Sequence, residues 1–157
     1  MLVLGIGNLL LQDEGVGVHV IRELERRYRV PPGVEILDGG TSGMELLDTM
    51  ARREHLIVID AVCTGAAPGT VVQLADAEVP ALFRMRVSPH EIGLADVLAT
   101  LQVTDETPRG ISLIGVVPAS TELSLELSST IAACIKPMLA VVVARLAALG
   151  YHLEETS

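Results

Sequence analysis

Four residues of this 157-residue chain stand where their types could do chemistry together: Glu14, Asp38, Asp60 and His90. Three are carboxylates, one is an imidazole, and each falls at a break in an apolar pattern. Two carboxylates and one imidazole suit a borderline divalent metal with positions left open for water or substrate. A closed structural site would take four protein ligands, usually including thiolates. His90 belongs to Ser88-Pro89-His90-Glu91, which offers an N-cap serine, a proline for the first helical position and a glutamate at the third. At the second position of that helix the macrodipole disfavours an imidazolium, so the ring stays neutral and able to bind a metal. The same field favours Glu14, in another first helical turn, as an anion. Against this stands a plainer reading, because acids and serines at helix starts are ordinary caps and aspartates at strand ends are ordinary turn residues. Residue types alone leave both open.

Other catalytic templates fit less well. After His90-Glu91 the chain has Leu94 where a zincin needs its second histidine, and no GxSxG elbow occurs. Cys63 and Cys134 form no CxxC pair and read as small buried hydrophobes in a reducing compartment. His19, His55 and His152 have no ligand spacing. The run Gly5-Ile6-Gly7-Asn8-Leu9-Leu10 opens like a dinucleotide fingerprint, but position 10 is Leu, and Asp38 lies beyond the usual spacing of about twenty residues. Nucleotide binding through Gly5, Gly7 and Asp38 is kept as an alternative.

The elements that must position these residues follow from periodicity. Residues 2–6, 34–37, 55–60, 70–74 and 111–117 read as strands, the fourth as an edge strand, and 14–28 as an amphipathic helix with Val16, Val20, Ile21, Leu24 and Tyr28 on one face. Ser42 and Glu45 form a capping box opening a helix to about Arg52. A further helix starts at Ser88, and a closing helix spans 128–149 with a kink at Pro137. Strands alternating with helices give an α/β three-layer sandwich: a mostly parallel, twisted sheet of about five strands flanked by helices, in a single domain over 1–157. Such sheets bind ligands beyond the carboxyl ends of their strands. Asp38 would end the second strand, Asp60 the third, Glu14 would follow the first, and His90 would begin the helix after the fourth.

Composition narrows the partners. With only Tyr28, Phe83 and Tyr151 as aromatics, the core must be aliphatic, which favours buried parallel strands. A formal charge of -9 argues against nucleic acid and anionic membrane and suits a cationic or metal-loaded partner. No secretory signal opens the chain, and the apolar stretch 131–149 is interrupted by Lys136, Pro137 and Arg145, so it reads as a packing helix in a cytoplasmic protein.

The segments LVLGIGNLLLQDEGVGV, VEILDGGTSGMELL, LIVIDAV, SPHEIGLADVL and SLIGVVPAS, in that order over nearly the whole chain, resemble the hydrogenase maturation proteases. These are cytosolic endopeptidases that trim the large subunit of nickel-iron hydrogenases. The resemblance implies one cut near the carboxyl terminus of the large-subunit precursor after nickel insertion. A monomer is expected, because stable self-association would obstruct a protein substrate. The resemblance puts the metal contacts on Glu14, Asp60 and His90. It adds a catalytic role for Asp38 in orienting a ligand, steering substrate or moving a proton. Nickel would arrive with the precursor, and other divalent metals would occupy the site in vitro. The alternative is a non-enzymatic nickel-binding checkpoint or metallochaperone module with the same ligands. One position departs from the family pattern: Glu126 stands where a small residue is expected before a Leu-Ser pair.

Overall fold

The computed structural model describes the backbone of residues 1–83 and 89–157 and the side chains of 1–83 and 93–157. Strand β1 (Leu2–Ile6) leads through a 3-10 turn (Gln12–Gly15) into α1 (Val16–Arg27). The chain continues with β2 (Tyr28–Arg29), β3 (Glu35–Gly40), a 3-10 turn (Met44–Leu46), α2 (Leu47–Met50), β4 (His55–Ala61) and β5 (Val71–Ala75). It closes with α3 (Glu78–Phe83), α4 (Pro89–Val103), β6 (Gly110–Val116), α5 (Ser129–Ala132), α6 (Ile135–Ala148) and β7 (Glu154–Glu155). Five strands form one sheet in the order β3-β1-β4-β6-β5, parallel except for β5, which runs antiparallel along β6 at the edge. The anticipated three-layer α/β architecture is the one observed.

Apolar alternation builds the layers. Leu2, Leu4 and Ile6 of β1 share one face with Leu56 and Val58 of β4 and Leu113 of β6, and are covered by Met50, Phe83, Leu94, Leu98 and Leu101. Val3, Ile57, Ile59, Ile114 and Val116 occupy the other face under Val16, Val20, Ile21 and Leu24 of α1 and Met138, Leu139, Val142 and Leu146 of α6. Both faces of β1 and β4 are therefore buried, as their unbroken apolar runs require. The stretch Ser129–Ala148 is long and apolar enough by composition to cross a membrane, and here its apolar stripe closes the second core.

Several local expectations shift. Ser42 does not cap a helix: its amide donates to the Gly39 carbonyl at 2.9 Å. Gly43 takes the cap position instead, and its amide donates to the Glu45 carboxylate at 2.9 Å. Hydrogen bonds from its own backbone amide and then from that of Gly43 hold the Glu45 carboxyl below its ordinary range. The reason is tertiary, because a Cβ on Gly43 would lie 3.2 Å from the Gly93 Cα, so only glycine lets α4 press against this turn. The helix that follows stops at Met50, and Arg52 adopts a left-handed φ of 57°. The closing helix is capped by Ser128, its hydroxyl accepting from the Ile131 amide. It breaks at Ala133 and Cys134, ahead of Pro137, which then lies in the first turn of α6, where its missing N–H costs nothing. Cys63 is exposed in the loop after β4, not buried, while Cys134 is half-buried and donates to the Thr130 carbonyl. Helix α3 and the small β2–β7 ribbon carry too few residues for a periodic signal.

Candidate active site

The chain winds from β1 to β3 on one side of the sheet and then returns past β1 to β4 on the other, which leaves a crevice at the carboxyl ends of β1 and β4. In open α/β sheets this reversal is where ligands bind. Asp60 and the turn that carries Glu14 stand at this end of the sheet. Asp60 is the penultimate residue of β4 and has no exposed surface; one carboxylate oxygen accepts from the Ala61 amide at 2.8 Å. Glu14 is half-buried in the 3-10 turn that packs on the end of β4.

Glycines let the Glu14 turn and the start of α1 press onto the strand ends. A Cβ on Gly17 would come within 2.1 Å of the Ile59 carbonyl oxygen and 2.4 Å of that of Ile6, so the start of α1 rests directly on the ends of both strands. Gly7, at φ +141°, would place a Cβ 1.9 Å from the Glu14 carbonyl oxygen. The glycines of the first loop thus seat the Glu14 turn. The Gly7 amide is also occupied, donating to the Gly40 carbonyl at 2.8 Å, so it is not free to cradle a pyrophosphate and the nucleotide alternative loses its main support.

Asp38 is placed differently. It lies inside β3, not at its end, beside a bulge where the register with β1 shifts. Strand β1 separates it from Asp60. Its carboxylate is exposed, accepts from the Gly40 amide at 3.0 Å and lies 3.7 Å from the Arg22 guanidinium. It lines a shallow depression with Gly7, Asn8, Leu9, Gly40 and Thr41, so it borders the crevice rather than entering it. His90 is the second residue of α4, in keeping with the expected helix start. Its side chain, and the proposed cap Ser88, lie outside the described residues. One helical turn on, Gly93 stands against Gly43, in the loop that follows β3 at the same edge of the sheet.

Sequence reasoning missed Asp13. It is fully buried, and its carboxylate accepts from the Ala119 amide (2.9 Å), the Ser120 amide (2.9 Å), the Ser128 amide (2.8 Å) and the Ser128 hydroxyl (2.8 Å). The Asp13 amide in turn donates to the Ser120 carbonyl at 3.1 Å. One side chain therefore fastens both ends of the loop 118–128 to the turn that carries Glu14. The only local hint was an acid next to Glu14, which also reads as helix-start chemistry. Its neighbour Gln12 has a left-handed φ of 51°, so the turn is held in a conformation that few side chains adopt freely.

A buried aspartate and a tightly seated glutamate turn at the strand reversal of an open α/β sheet define the ligand-binding edge of a three-layer α/β protein. Residues 18–145 match the family model for hydrogenase maturation protease. The chain is 52% identical over 151 residues to the hydrogenase 2 maturation protease of Escherichia coli (strain K12), covering 96% of this chain and 92% of that protein. It superimposes on the solved structure of the hydrogenase maturating endopeptidase HybD from E. coli with a TM-score of 0.95, covering 98% of this chain and 96% of that one at 52% identity. The NiFe hydrogenase maturation protease HybD from Thermococcus kodakarensis gives a TM-score of 0.72 at 27% identity, covering 90% of this chain and 95% of that one. The chain belongs to the hydrogenase maturation protease family and is a maturation endopeptidase.

Proposed function

We propose that this endopeptidase removes the carboxyl-terminal extension of a nickel-iron hydrogenase large-subunit precursor once nickel is in place, and that Glu14, Asp60 and His90 complete the coordination of that nickel. What supports the reading is a carboxylate with no exposed surface, Asp60, and the Glu14 turn at the same sheet end, where the strand order reverses. Burial of a carboxylate favours its use beside donors or a cation, and carboxylates with an imidazole match the preferences of a divalent ion of nickel's kind. Held by Glu14, Asp60 and His90, nickel would supply a Lewis acid able to polarise a carbonyl or lower the pKa of a water. The chain's own part is positional. Gly7 and Gly17 fix the Glu14 turn, the Ala61 amide fixes the Asp60 carboxylate, and the depression bordered by Asp38 gives the substrate backbone a place to lie. Asp38, exposed and reaching no reacting centre on its own, steers substrate at that rim. The metal belongs to the substrate, so the free enzyme needs none of its own, although other divalent ions would enter the same site in vitro. The protein acts as a cytoplasmic monomer, since self-association would obstruct a polypeptide substrate and a charge of -9 disfavours it.

Incubation with nickel-loaded and nickel-free precursor, followed by mass measurement, tests this. The loaded precursor is expected to lose its extension and the nickel-free one to stay intact. Cleavage of neither overturns the proposed substrate, and equal cleavage of both overturns the metal checkpoint.

A further inference from the structure

Three large apolar side chains stand unprotected on the rim of the crevice: Leu10 is 56% exposed, Leu123 82% and Leu125 68%. They are neighbours in space. The Ser124 amide donates to the Leu10 carbonyl at 2.9 Å, and the Gln12 amide donates to the Ser124 carbonyl at 3.0 Å. Ser124, half-buried at an isolated bridge to Leu11, anchors this bent segment, and Leu123 and Leu125 on either side of it are both exposed. Clustered exposed leucines mark a contact surface more often than chance apolar exposure does. This surface is also stiff, because the Asp13 carboxylate ties down the loop at Ala119, Ser120 and Ser128. A rim held in place contacts a partner without first having to be ordered.

We infer that the Leu10–Leu123–Leu125 rim is the docking surface for the substrate polypeptide and takes an apolar stretch of it bordered by lysine or arginine; this rests on the proposed function. Continuity with the site is one argument. Residues 10 and 11 lead straight into the Glu14 turn, whose amide donates to the Leu11 carbonyl at 3.1 Å. Loop 118–128 follows β6, whose Gly115 pairs in register with Asp60. A polypeptide lying on the leucines therefore runs toward the crevice. Charge is the other argument. Exposed Glu122 and Glu126 flank the leucines, and no basic residue occurs between positions 118 and 128. A second copy of this chain would set the same glutamates against each other, whereas a basic-flanked segment would complement them.

The test compares wild type with Leu123→Ser/Leu125→Ser and with Glu122→Lys/Glu126→Lys, all at exposed positions, using purified nickel-loaded large-subunit precursor. The leucine variant is expected to raise Kd and KM about tenfold or more while kcat and melting temperature hold. The charge variant is expected to weaken binding at low salt, with the difference fading at high salt. A photo-crosslinker at position 123 is expected to capture the precursor. Unchanged Kd and KM in the leucine variant, or crosslinks only to a second copy of the chain, overturn the inference. Cleavage with unaltered KM would sink the docking surface alone, and leucine-dependent binding without cleavage would sink the endopeptidase substrate alone.

Discussion

Asp13 and His90 show how differently two polar residues at one site are expected to fail. Asp13 accepts four hydrogen bonds with no exposed surface, so Asp13→Ala strands buried donors from Ala119, Ser120 and Ser128. Each stranded donor costs about 1–3 kcal/mol, and the loss should reach at least about 3 kcal/mol by denaturant titration. Asp13→Asn should fall in between, since its amide keeps one acceptor oxygen and brings two donors into a cluster already full of donors. His90→Ala carries the opposite expectation. At the second position of α4 its loss should cost under about 1 kcal/mol in denaturant titration while abolishing metal binding by calorimetry and precursor processing. A His90→Ala protein that still bound metal and processed precursor at the wild-type rate would remove the residue from the proposed ligand set.

At the scale of elements, the site depends on how closely α1 approaches two strand ends. Gly17→Ala would drive a methyl into the backbone carbonyls of Ile59 and Ile6, and backbone cannot step aside as a flexible side chain can. The helix must shift, at a cost of about 1–3 kcal/mol from overpacking, and the Glu14 turn shifts with it. Activity should therefore fall further than stability alone explains, which paired melting and processing assays would reveal. The turn after β3 makes the same point from the sequence side. Ser42-x-x-Glu45 is a sound capping pattern, yet the cap moved one residue to Gly43, because contact with Gly93 of α4 selects the position without a side chain. Local propensity gave way to a tertiary contact, and no local signal announces it.

Over the whole molecule, pH dependence follows from two partly buried histidines, His55 and His19. His55, at the start of β4, pairs its Nε2 with the Ser112 hydroxyl at 2.9 Å, and that hydroxyl accepts from Arg145 Nε at 3.1 Å. Burial, and then the charge of Arg145, push the His55 pKa below its ordinary value; burial, and then Arg22, do the same for His19 on α1. For a lowered histidine the unfolded chain binds the proton more readily than the native state. The stability contribution is therefore complete above the ordinary value of about 6.5 and is lost as pH falls from there toward the folded value. Melting temperature should drop between pH 7.5 and 5.5, and His55→Gln should flatten part of that drop; a drop identical in wild type and variant would exclude His55 as a source. The Ser112–Arg145 partnership of His55 lies on two other elements and has no trace in the neighbourhood of residue 55.

The sequence by itself determined the layers, because two-sided apolar runs at β1 and β4 can only be buried strands, and a 3.6-residue stripe in α1 can only cover them. It also determined which residues end up near a strand's carboxyl end, as for Asp60. What the tertiary structure decided was adjacency. Strand order places β1 beside β4 and leaves Asp38 a strand away on an exposed rim, and the close approach at Gly17 seats the start of α1 on the ends of β1 and β4. Asp13 closes the loop 118–128 over a separation of more than a hundred residues, with Ser128 at |i−j| 115. Periodicity reports on neighbours along the chain; contacts at that separation are set by packing, and no local pattern encodes them.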